Sequence, residues 1–280
     1  MERPSSQIGD SLLGKEFKCL NKGFIRLVDY MGTDDSIVQA ARVSYGKGTK
    51  TPSEDRGLIR YMMRHHHGTP FEMVEFKWHV RLPIFVARQW IRHRTANVNE
   101  YSMRYSEPIE DYFLPVPEEV RKQSQTNKQG GTEVVPFDEA VQIIEEWERH
   151  MENCFSLYEK TNEKDIAREI SRIALPVGSY TEWYWKNDLR NTFNFLMLRL
   201  DEHAQKEIRV YADEMAGVIK QITPLAYEAF EDYILNSKTF SALEMNALEK
   251  ILQGIPIGQA TEESGLKKRE LTEFKEKLPI

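Results

Sequence analysis

Few cysteines and the absence of long apolar runs set the first limits on this chain. Of 280 residues only Cys19 and Cys154 are cysteines, so a disulfide framework is not expected. No apolar run approaches the roughly 18 residues that a membrane-spanning helix needs. Residues 1–10 are polar and lack the apolar core of a signal peptide. These absences predict a protein of the reducing cytoplasm with no membrane partner.

The chain also lacks a net positive charge and a glycine-rich dinucleotide turn. The formal net charge is −6, which argues against a nucleic-acid partner. A Gly-x-Gly-x-x-Gly turn is missing, so any bound dinucleotide is not held in the Rossmann manner. Residues 9–15 nearly match a phosphate-binding P-loop, but Glu16 replaces the Ser or Thr that would hold magnesium. The length and composition fit one main globular domain with appendages.

Against this acidic background, residues 83–105 are unusually rich in arginine. The segment contains Arg88, Arg92, Arg94 and Arg104. Each guanidinium presents a planar fork that binds phosphates and carboxylates through two hydrogen bonds at a time. The cluster therefore predicts an anionic ligand. The alternative is a solvated basic helix end, which the mixed residue types and apolar neighbours disfavour.

A strand followed by a helix is predicted to hold these arginines in place. Residues 74–82 alternate between apolar and polar types, the pattern of a half-buried antiparallel strand. Pro83 cannot donate to a sheet ladder and is the natural end of that strand. Helical spacing of apolar residues then predicts a helix from residue 84 to about His93. A site on such rigid elements can be positioned accurately.

After this helix the sequence predicts an irregular loop. Residues 97–99 favour a turn, because asparagine side chains bond to nearby main-chain groups. The loop would carry Glu100, Ser102 and Arg104 back towards the helix end. Ser102 has no histidine and aspartate partners in this stretch, so a binding role is expected rather than a nucleophilic one.

The remaining pattern predicts an α+β fold, an antiparallel sheet flanked by helices, with a helical C-terminal extension. Residues 1–18 are expected to be a loose N-terminal arm, and residues 19–235 the main domain. Within that domain, residues 106–136 are rich in proline and polar residues, which predicts a long irregular segment that is either functional or disordered. Residues 236–280 form the extension, for which two helices and a packing or assembly role are favoured over DNA binding. Strands are also predicted at 23–29 and 180–185, and helices at 34–43, 54–64, 137–160, 165–175 and 187–222.

At this point the sequence resembles a known family. Residues 92–94, Arg-His-Arg, followed after seven residues by Ser102, are similar to the signature of the flavin-dependent thymidylate synthases. The resemblance extends through residues 99–100 and 104–106, and similarity runs from about residue 20 to about residue 235. It is poor over about 106–136, so this segment is predicted to be an insertion in the family domain. Asn97 stands where members often have serine. Both types are small and polar, so the assignment is kept.

The resemblance implies reductive methylation of dUMP to dTMP. Methylenetetrahydrofolate would donate the carbon, and FAD reduced by NADPH would carry the hydride. A homotetramer with sites shared between subunits is also implied. The residues themselves disfavour a cysteine nucleophile, because Cys19 and Cys154 lie far in sequence from the cationic setting that activates a thiol.

The resemblance also implies a set of dUMP-binding residues, with Arg199 as the catalytic group that stabilises the deprotonated imide of the ring. Arg172 precedes a segment similar to the family's Arg-x-x-Leu-Pro. Its alternative role is a surface ion pair with Glu169 or Asp165. The full dUMP set is Gln89, Trp90, Ile91, Arg92, Glu100, Tyr101, Ser102, Met103, Arg104, Arg172 and Arg199.

A second implied set binds FAD. Asp188 departs from the family pattern, because it takes the place of a usual asparagine. The three histidines at residues 65–67 have no further Cys, Asp or His at ligand spacing, so no metal is predicted there. A helix C-terminus that favours cations remains open beside a role in flavin contact. The FAD set is His67, Thr69, Arg92, His93, Arg94, Glu100, Asp188, Leu189, Arg190 and Asn194.

Two other functions use the same arginines. A nucleic-acid-binding module would place them on a phosphate backbone, but the net acidity and the lack of a second basic stripe weigh against it. A phosphate-ester hydrolase would require a metal site, and the sequence offers none at a ligand-like spacing.

Overall fold

The main sheet has five antiparallel strands in a computed structural model that describes residues 5–43, 51–124 and 130–278. The sheet order is β1-β2-β3-β7-β4, and β5 pairs with β6 in a separate hairpin. The predicted α+β class is confirmed. In chain order the strands are β1 (Glu16–Cys19), β2 (Gly23–Met31), β3 (Glu75–Pro83), β4 (Asn97–Glu100), β5 (Arg121–Gln123), β6 (Gly131–Val134) and β7 (Tyr180–Asp188).

Strand β3 lies at the centre of the sheet, as its alternation predicts. Phe76, Trp78, Val80 and Leu82 are all fully buried, and β3 pairs along its length with β2 and β7. The intervening polar residues face the other side and are only partly buried. The sheet therefore buries one face in the core.

Helices cover the apolar face. Helices α4, α7 and α8 contact the strands or each other there, and α8 supplies eight buried side chains. Within the described residues, no helix is long and apolar enough to cross a membrane. The helices are α1 (Gln7–Leu12), α2 (Asp34–Ala41), α3 (Pro52–Arg64), α4 (Ile84–Trp90), α5 (Phe137–Asn162), α6 (Arg168–Ser171), α7 (Leu189–Arg199), α8 (Lys206–Ile222), α9 (Pro224–Phe230), α10 (Ala242–Leu252), α11 (Ile257–Glu263) and α12 (Lys268–Lys277).

The segment after α4 differs from the expected irregular loop. Helix α4 ends at Trp90, three residues earlier than predicted, and residues 97–100 form the edge strand β4. Asn97 lies opposite Lys186 of β7 and Glu100 lies opposite Trp183. The open edge of β7 offers main-chain partners that local asparagine preferences do not reveal.

Two predicted helices are interrupted. Residues 200–205 separate α7 from α8, because Asp201 accepts a hydrogen bond from the main-chain N–H of His203 at 2.8 Å and so turns the chain locally. Over 165–175 only α6 and a 3₁₀ turn form. Asp165 there has a φ of 56°, which lies outside the helical region.

The loose arm expected for residues 1–18 is wrong for its described part; residues 1–4 lie outside the description. Helix α1 contacts α8, and β1 is an edge strand paired with β2. The Tyr30 hydroxyl donates to Asp10 Oδ1 at 2.6 Å and accepts from the main-chain N–H of Ser6 at 2.9 Å. A tertiary anchor in β2 thus fixes a segment that has few apolar residues of its own.

The expected insertion at 106–136 contains regular structure. Strands β5 and β6 pair in a hairpin, while residues 125–129 lie outside the description. Val120, Val135 and Ala140 bury a small cluster between this hairpin and α5. Tyr158 of α5 is buried, whereas Trp147 on the same helix is exposed.

Residues Glu231–Ile280 form a second unit with its own core. Its described residues form three α-helices, α10 to α12, rather than two, because Gly254 with a φ of 92° ends α10 and a further turn follows α11. Ala247, Leu266 and Phe274 are its buried centre. Leu252, at the end of α10, is exposed.

Candidate active site

Three arginines at the end of α4 are unpaired. The side chains of Arg88, Arg92 and Arg94 are exposed and form no hydrogen bond or ion pair with any residue that the structure describes. Like charges this close in sequence repel one another. An anion bound among them would relieve that repulsion.

Trp90 anchors this segment to the core. Its ring is fully buried and stacks on Phe195 of α7 with 4.6 Å between centroids. The rings of Trp183 and Trp185 are T-shaped to the Trp90 ring, with centroids 5.8 and 5.4 Å from its centroid. The main-chain N–H of His93 donates to the carbonyl of Trp90 at 2.9 Å. The buried indole therefore fixes the main chain next to residues 92–94.

His93 of the motif contacts Arg199 at the end of α7. Arg199 Nε donates to His93 Nε2 at 3.0 Å, and the His93 ring meets the Phe195 ring edge-on at 5.0 Å. The two terminal nitrogens of Arg199 have no partner among the described residues. One side of the guanidinium is held by the protein, and the fork remains available to a ligand.

Burial and charge keep His93 neutral. Burial lowers the pKa of the imidazole to about 4, and the neighbouring Arg199 cation lowers it further in the same direction. Burial also lowers the pKa of Arg199. A neutral imidazole that accepts at Nε2 carries its proton on Nδ1. The pair thus consists of a neutral His93 imidazole, which accepts the hydrogen bond, and the Arg199 guanidinium cation, which donates it.

Strand β4 and the turn after it position Glu100 and Ser102. Glu100 Oε1 accepts from the Thr181 hydroxyl at 2.9 Å, and the Tyr101 hydroxyl donates to the main-chain oxygen of Glu107 at 2.7 Å. The carbonyl of Ser102 accepts from the main-chain N–H of Tyr105 at 3.1 Å. These bonds fold residues 101–107 into a tight loop.

This loop meets the segment that carries Arg172. Arg104 forms an ion pair with Glu169 at 3.5 Å, and Arg172 Nε donates to the main-chain oxygen of Glu169 at 3.3 Å. The alternative of an Arg172 ion pair with Glu169 or Asp165 is therefore wrong. The Glu169 carboxylate belongs to Arg104, and the terminal nitrogens of Arg172 stay unpaired among the described residues.

A third group forms where the 3₁₀ turn after α3 meets α7. Arg190 Nη1 donates to Glu72 Oε1 at 2.5 Å. The guanidinium lies against Gly68, where an added Cβ would be 2.5 Å from Arg190 Nε. His67 and Thr69, on either side of this glycine, are exposed. A larger residue at position 68 would require the Arg190 side chain to move.

Asp188 has a local structural role. Its Oδ1 accepts from the main-chain N–H of Asn191 at 2.9 Å and its Oδ2 accepts from Asn191 Nδ2 at 2.7 Å, so it caps α7. Asn194 is exposed one turn further on. An asparagine could make the same cap, so the departure at Asp188 preserves the helix start.

The structure joins the predicted site residues in three groups. His93 pairs with Arg199, Arg104 adjoins Arg172, and Arg190 packs on the segment of His67 and Thr69. Among the described residues, no hydrogen bond or ion pair links one group to another.

Two members of the predicted ligand-binding sets have side chains buried in the core, whereas others keep part of their surface exposed. Trp90 and Leu189 are fully buried, so only their main-chain atoms can face a ligand. Gln89 is partly buried, and its Oε1 has no partner among the described residues. Ile91, Tyr101 and Met103 keep part of their surface exposed, as a ligand contact requires.

Several residues of these groups are absent from the sequence prediction. Glu72 holds Arg190, Thr181 holds Glu100, and Phe195 supports His93. Thr181 and Phe195 carry no local signal, because each acquires its role only when distant elements pack together. Glu72 carries a weak one, since it lies near His67 in sequence.

The donor set fits phosphorylated ligands. Arg92, Arg94 and the forks of Arg172 and Arg199 present cations that have no partner in the part of the chain that the structure describes, and guanidinium forks match phosphate oxygens. A flavin dinucleotide and a nucleotide are both anionic and would complement these groups. The residues present are thus compatible with both.

The fold defines an α+β protein, and its candidate site presents guanidinium cations suited to an anionic ligand. A family profile described as thymidylate synthase complementing protein matches residues 26–225. Flavin-dependent thymidylate synthases from Wolbachia pipientis wMel and Treponema denticola are 54% and 52% identical, over 95% of this chain in each case. The matches cover 93% and 98% of those proteins. The chain belongs to the flavin-dependent thymidylate synthase family and is therefore an enzyme.

The similarity also extends past the boundary predicted near residue 235. A profile described as the thymidylate synthase ThyX C-terminal domain matches residues 239–279, which contain α10 to α12. The crystal structure of a UMP/dUMP methylase, PolB from Streptomyces cacaoi, bound with 5-Br dUMP is similar with a TM-score of 0.71. The two sequences are 32% identical, and the superposition covers 79% of this chain and 100% of the PolB chain.

Proposed function

We propose that this chain converts dUMP to dTMP by reductive methylation, with methylenetetrahydrofolate as carbon donor. Bound FAD, reduced by NADPH, would supply the hydride and mediate transfer of the carbon. The names of the relatives support methylation of dUMP with a flavin. The observation that carries the proposal is the free guanidinium fork of Arg199, whose Nε is held by His93.

A cysteine nucleophile is not part of this proposal. Cys19 is buried in β1, and burial raises the pKa of its thiol far above the ordinary value, with Glu214 adding to the effect. Cys154 lies on α5, where its closest described partner is His150 at 3.5 Å. Neither thiol contacts the arginine motif within the described residues, so neither has the cationic setting that makes a reactive thiolate.

Arginines from separate segments would hold the nucleotide. Arg92 and Arg172 have terminal nitrogens available for the phosphate of dUMP. Arg104 and the main chain around Ser102 would contact the phosphate and sugar from the loop that follows β4. The Arg104–Glu169 ion pair is half-exposed and weak, so a phosphate can replace the carboxylate at little cost.

Arg199 would act on the uracil ring. Its fork can hydrogen-bond to the imide oxygen and nitrogen, stabilising the ring when that nitrogen loses its proton. Negative charge held there increases electron density at the carbon that accepts the methylene. His93 acts as a positioning residue, because its neutral Nε2 orients the guanidinium without cancelling its charge.

FAD would be bound by groups from α7, from the segment after α4 and from the turn that follows α3. Arg92 and Arg94 would neutralise the diphosphate, while His67, Thr69, Arg190 and Asn194 line the end of the sheet. Asp188 and Leu189 contribute through the start of α7, and Glu100 through β4. A homotetramer with shared sites is part of the proposal, supported by the separation of the site residues into three groups within one chain.

The test is a reconstituted reaction. Purified protein should be yellow, and NADPH should bleach its flavin absorbance without oxygen. With dUMP and methylenetetrahydrofolate present, chromatography should show dTMP, and omission of any one component should abolish it. A colourless protein that takes up no added FAD would contradict the proposal.

A further inference from the structure

One arginine of α6 holds the loop of residues 101–107, which carries Ser102 and Arg104. Arg168 Nη1 donates to the main-chain oxygen of Tyr105 at 3.2 Å, and its Nη2 donates to Glu107 Oε1 at 3.3 Å. These acceptors lie 63 and 61 residues away in sequence. Arg168 belongs to neither the dUMP set nor the FAD set, so the ligand roles described above do not account for it.

The loop depends on α6 for its position. Where it begins, the main-chain N–H of Tyr101 donates to the carbonyl of Glu182 in β7 at 2.7 Å. In the part of the chain that the structure describes, residues 102–107 form hydrogen bonds and ion pairs outside the loop only with Arg168 and Glu169. Removing the Arg168 side chain would therefore leave this stretch with one half-exposed ion pair to the rest of the chain.

Arg168 and Arg172 lie four residues apart and are used differently. Both terminal nitrogens of Arg168 donate to the loop, whereas those of Arg172 are unpaired among the described residues. A guanidinium fork that already spans two oxygens of the protein is committed to them. Arg168 thus acts on the loop, while the fork of Arg172 stays available for a ligand.

The segment that carries Arg168 is itself fixed. Ser171 is buried, and its hydroxyl donates to the main-chain oxygen of Ile166 at 3.3 Å. Its main-chain N–H donates to the carbonyl of Ala167 at 3.0 Å. Helix α6 also packs against the long helix α5. A side chain that starts from this fixed segment and ends on two oxygens of the loop limits how far the loop can move.

We propose that Arg168 is a positioning residue for nucleotide binding, which holds the loop of residues 101–107 where it and Arg172 can contact the same nucleotide. The inference rests on the proposed function, in which Arg104 and the main chain around Ser102 contact the phosphate and sugar of dUMP. Arg168 touches neither the uracil ring nor flavin in that assignment. Its loss therefore changes the affinity for dUMP and not the chemical step.

Calorimetric titration of the flavin-loaded full chain with dUMP tests this role. Arg168→Ala removes both hydrogen bonds to the loop and should weaken dUMP binding about tenfold, while kcat at saturating dUMP stays at the wild-type value. Arg168→Lys should restore only part of the affinity, because an ammonium keeps the charge but lacks the planar fork. Arg149→Ala, which removes an exposed guanidinium from α5, is the control and should bind dUMP like the wild type.

Glu107 allows a test in which positioning and charge alone predict opposite signs. Glu107→Ala removes the carboxylate that accepts from Arg168 and leaves every guanidinium in place. Loss of positioning weakens dUMP binding, whereas loss of a negative charge by itself favours a phosphate. We expect weaker binding, and a double variant with Arg168→Ala that loses less than the two single losses combined. Glu110→Ala, which removes another exposed carboxylate close in sequence, is the matched control and should not weaken binding.

Hydrogen exchange without nucleotide tests the loop directly. Main-chain N–H groups of Tyr105 and Ser106 donate to the carbonyl of Ser102 at 3.1 Å, and both should exchange faster in Arg168→Ala than in the wild type. The Arg168 side chain is 41% exposed, so the variant should melt close to the wild-type temperature. Unchanged exchange of both N–H groups in Arg168→Ala would overturn the role.

The affinities overturn it in two further ways. One is dUMP binding by Arg168→Ala that equals the wild type, and the other is binding by Glu107→Ala that is as tight as that of Glu110→Ala. Because dUMP affinity is measured without turnover, a wild type that binds dUMP but forms no dTMP would contradict the methylation proposal and leave these criteria for Arg168 in force. A wild type that binds no dUMP would overturn both proposals.

Discussion

Arg199 Nε donates a hydrogen bond to His93 Nε2 at 3.0 Å, linking the end of α7 to the arginine motif after α4. The bond requires a neutral imidazole, because an imidazolium has no lone pair left to accept it. Two elements more than a hundred residues apart in sequence thus cooperate to aim one guanidinium. The following predictions concern this pair and the elements that support it.

The stability of the protein should depend on the protonation of His93. Its folded pKa of about 4 lies below the ordinary value of 6.5, so the unfolded chain takes up this proton first as pH falls. The contribution of His93 to the free energy of unfolding is present above pH 6.5 and is lost as pH falls towards 4. Urea unfolding of wild type and His93→Leu should show a stability difference that shrinks across this window. A difference that is constant with pH would contradict a neutral buried His93.

Asp34 should show the opposite pH dependence. Its carboxylate is buried and accepts hydrogen bonds from the main-chain N–H groups of Leu225 and Ala226 at 2.8 and 3.0 Å. Burial raises the pKa of Asp34 from 3.8 to about 6, so its contribution is full below pH 3.8 and is lost as pH rises through 6.

Two substitutions separate charge from hydrogen bonding at this position. Asp34→Ala removes both acceptors at the start of α9 and should cost about 1–3 kcal/mol in urea unfolding. Asp34→Asn keeps one acceptor oxygen, and wild type should lose stability relative to it as pH rises through 6. Equal stability of wild type and both variants at every pH would contradict the role of Asp34 as a buried acceptor at the start of α9.

The departure from the family pattern at Asp188 should be tolerated by the fold. Asp188→Asn keeps a good cap for α7 and should change stability by less than about 0.5 kcal/mol. Asp188→Ala loses the hydrogen bond to the N–H of Asn191 and should cost about 1 kcal/mol. Thermal unfolding distinguishes them, and an asparagine variant as unstable as the alanine variant would show that the charge itself is needed.

The elements with strong local patterns could be predicted from the sequence. Strand β3 alternates between apolar and polar residues along its whole length, and α3 has both a capping residue and an apolar stripe. Each pattern is contained within a single element. The arginine motif was recognisable for the same reason, because its residues are close in sequence.

Features that depend on distant packing could not be predicted. Strand β4 exists because β7 offers an open edge, and α1 is fixed by Tyr30. Trp90 lies inside the arginine-rich segment 83–105 yet belongs to the core, since its neighbours come from β7 and α7. Glu72 acquires its role only through Arg190, which is 118 residues away in sequence.

The free fork of Arg199 is the centre of the account, and Arg199→Ala tests it most directly. The truncation removes the group proposed to stabilise the uracil imide but leaves Arg92, Arg94 and Arg190 in place for flavin. An oxyanion-type contact of this kind is worth about 10²–10³ in turnover. Arg269→Ala, which removes an exposed guanidinium from α12, is the control for general loss of charge.

The decisive measurement is dTMP formation per bound flavin under anaerobic conditions, with flavin absorbance and its bleaching by NADPH recorded on the same sample. We predict that Arg199→Ala retains its flavin and the NADPH-dependent bleaching, while dTMP formation falls by about a hundredfold or more. Undiminished dTMP formation by this variant would contradict the role assigned to Arg199.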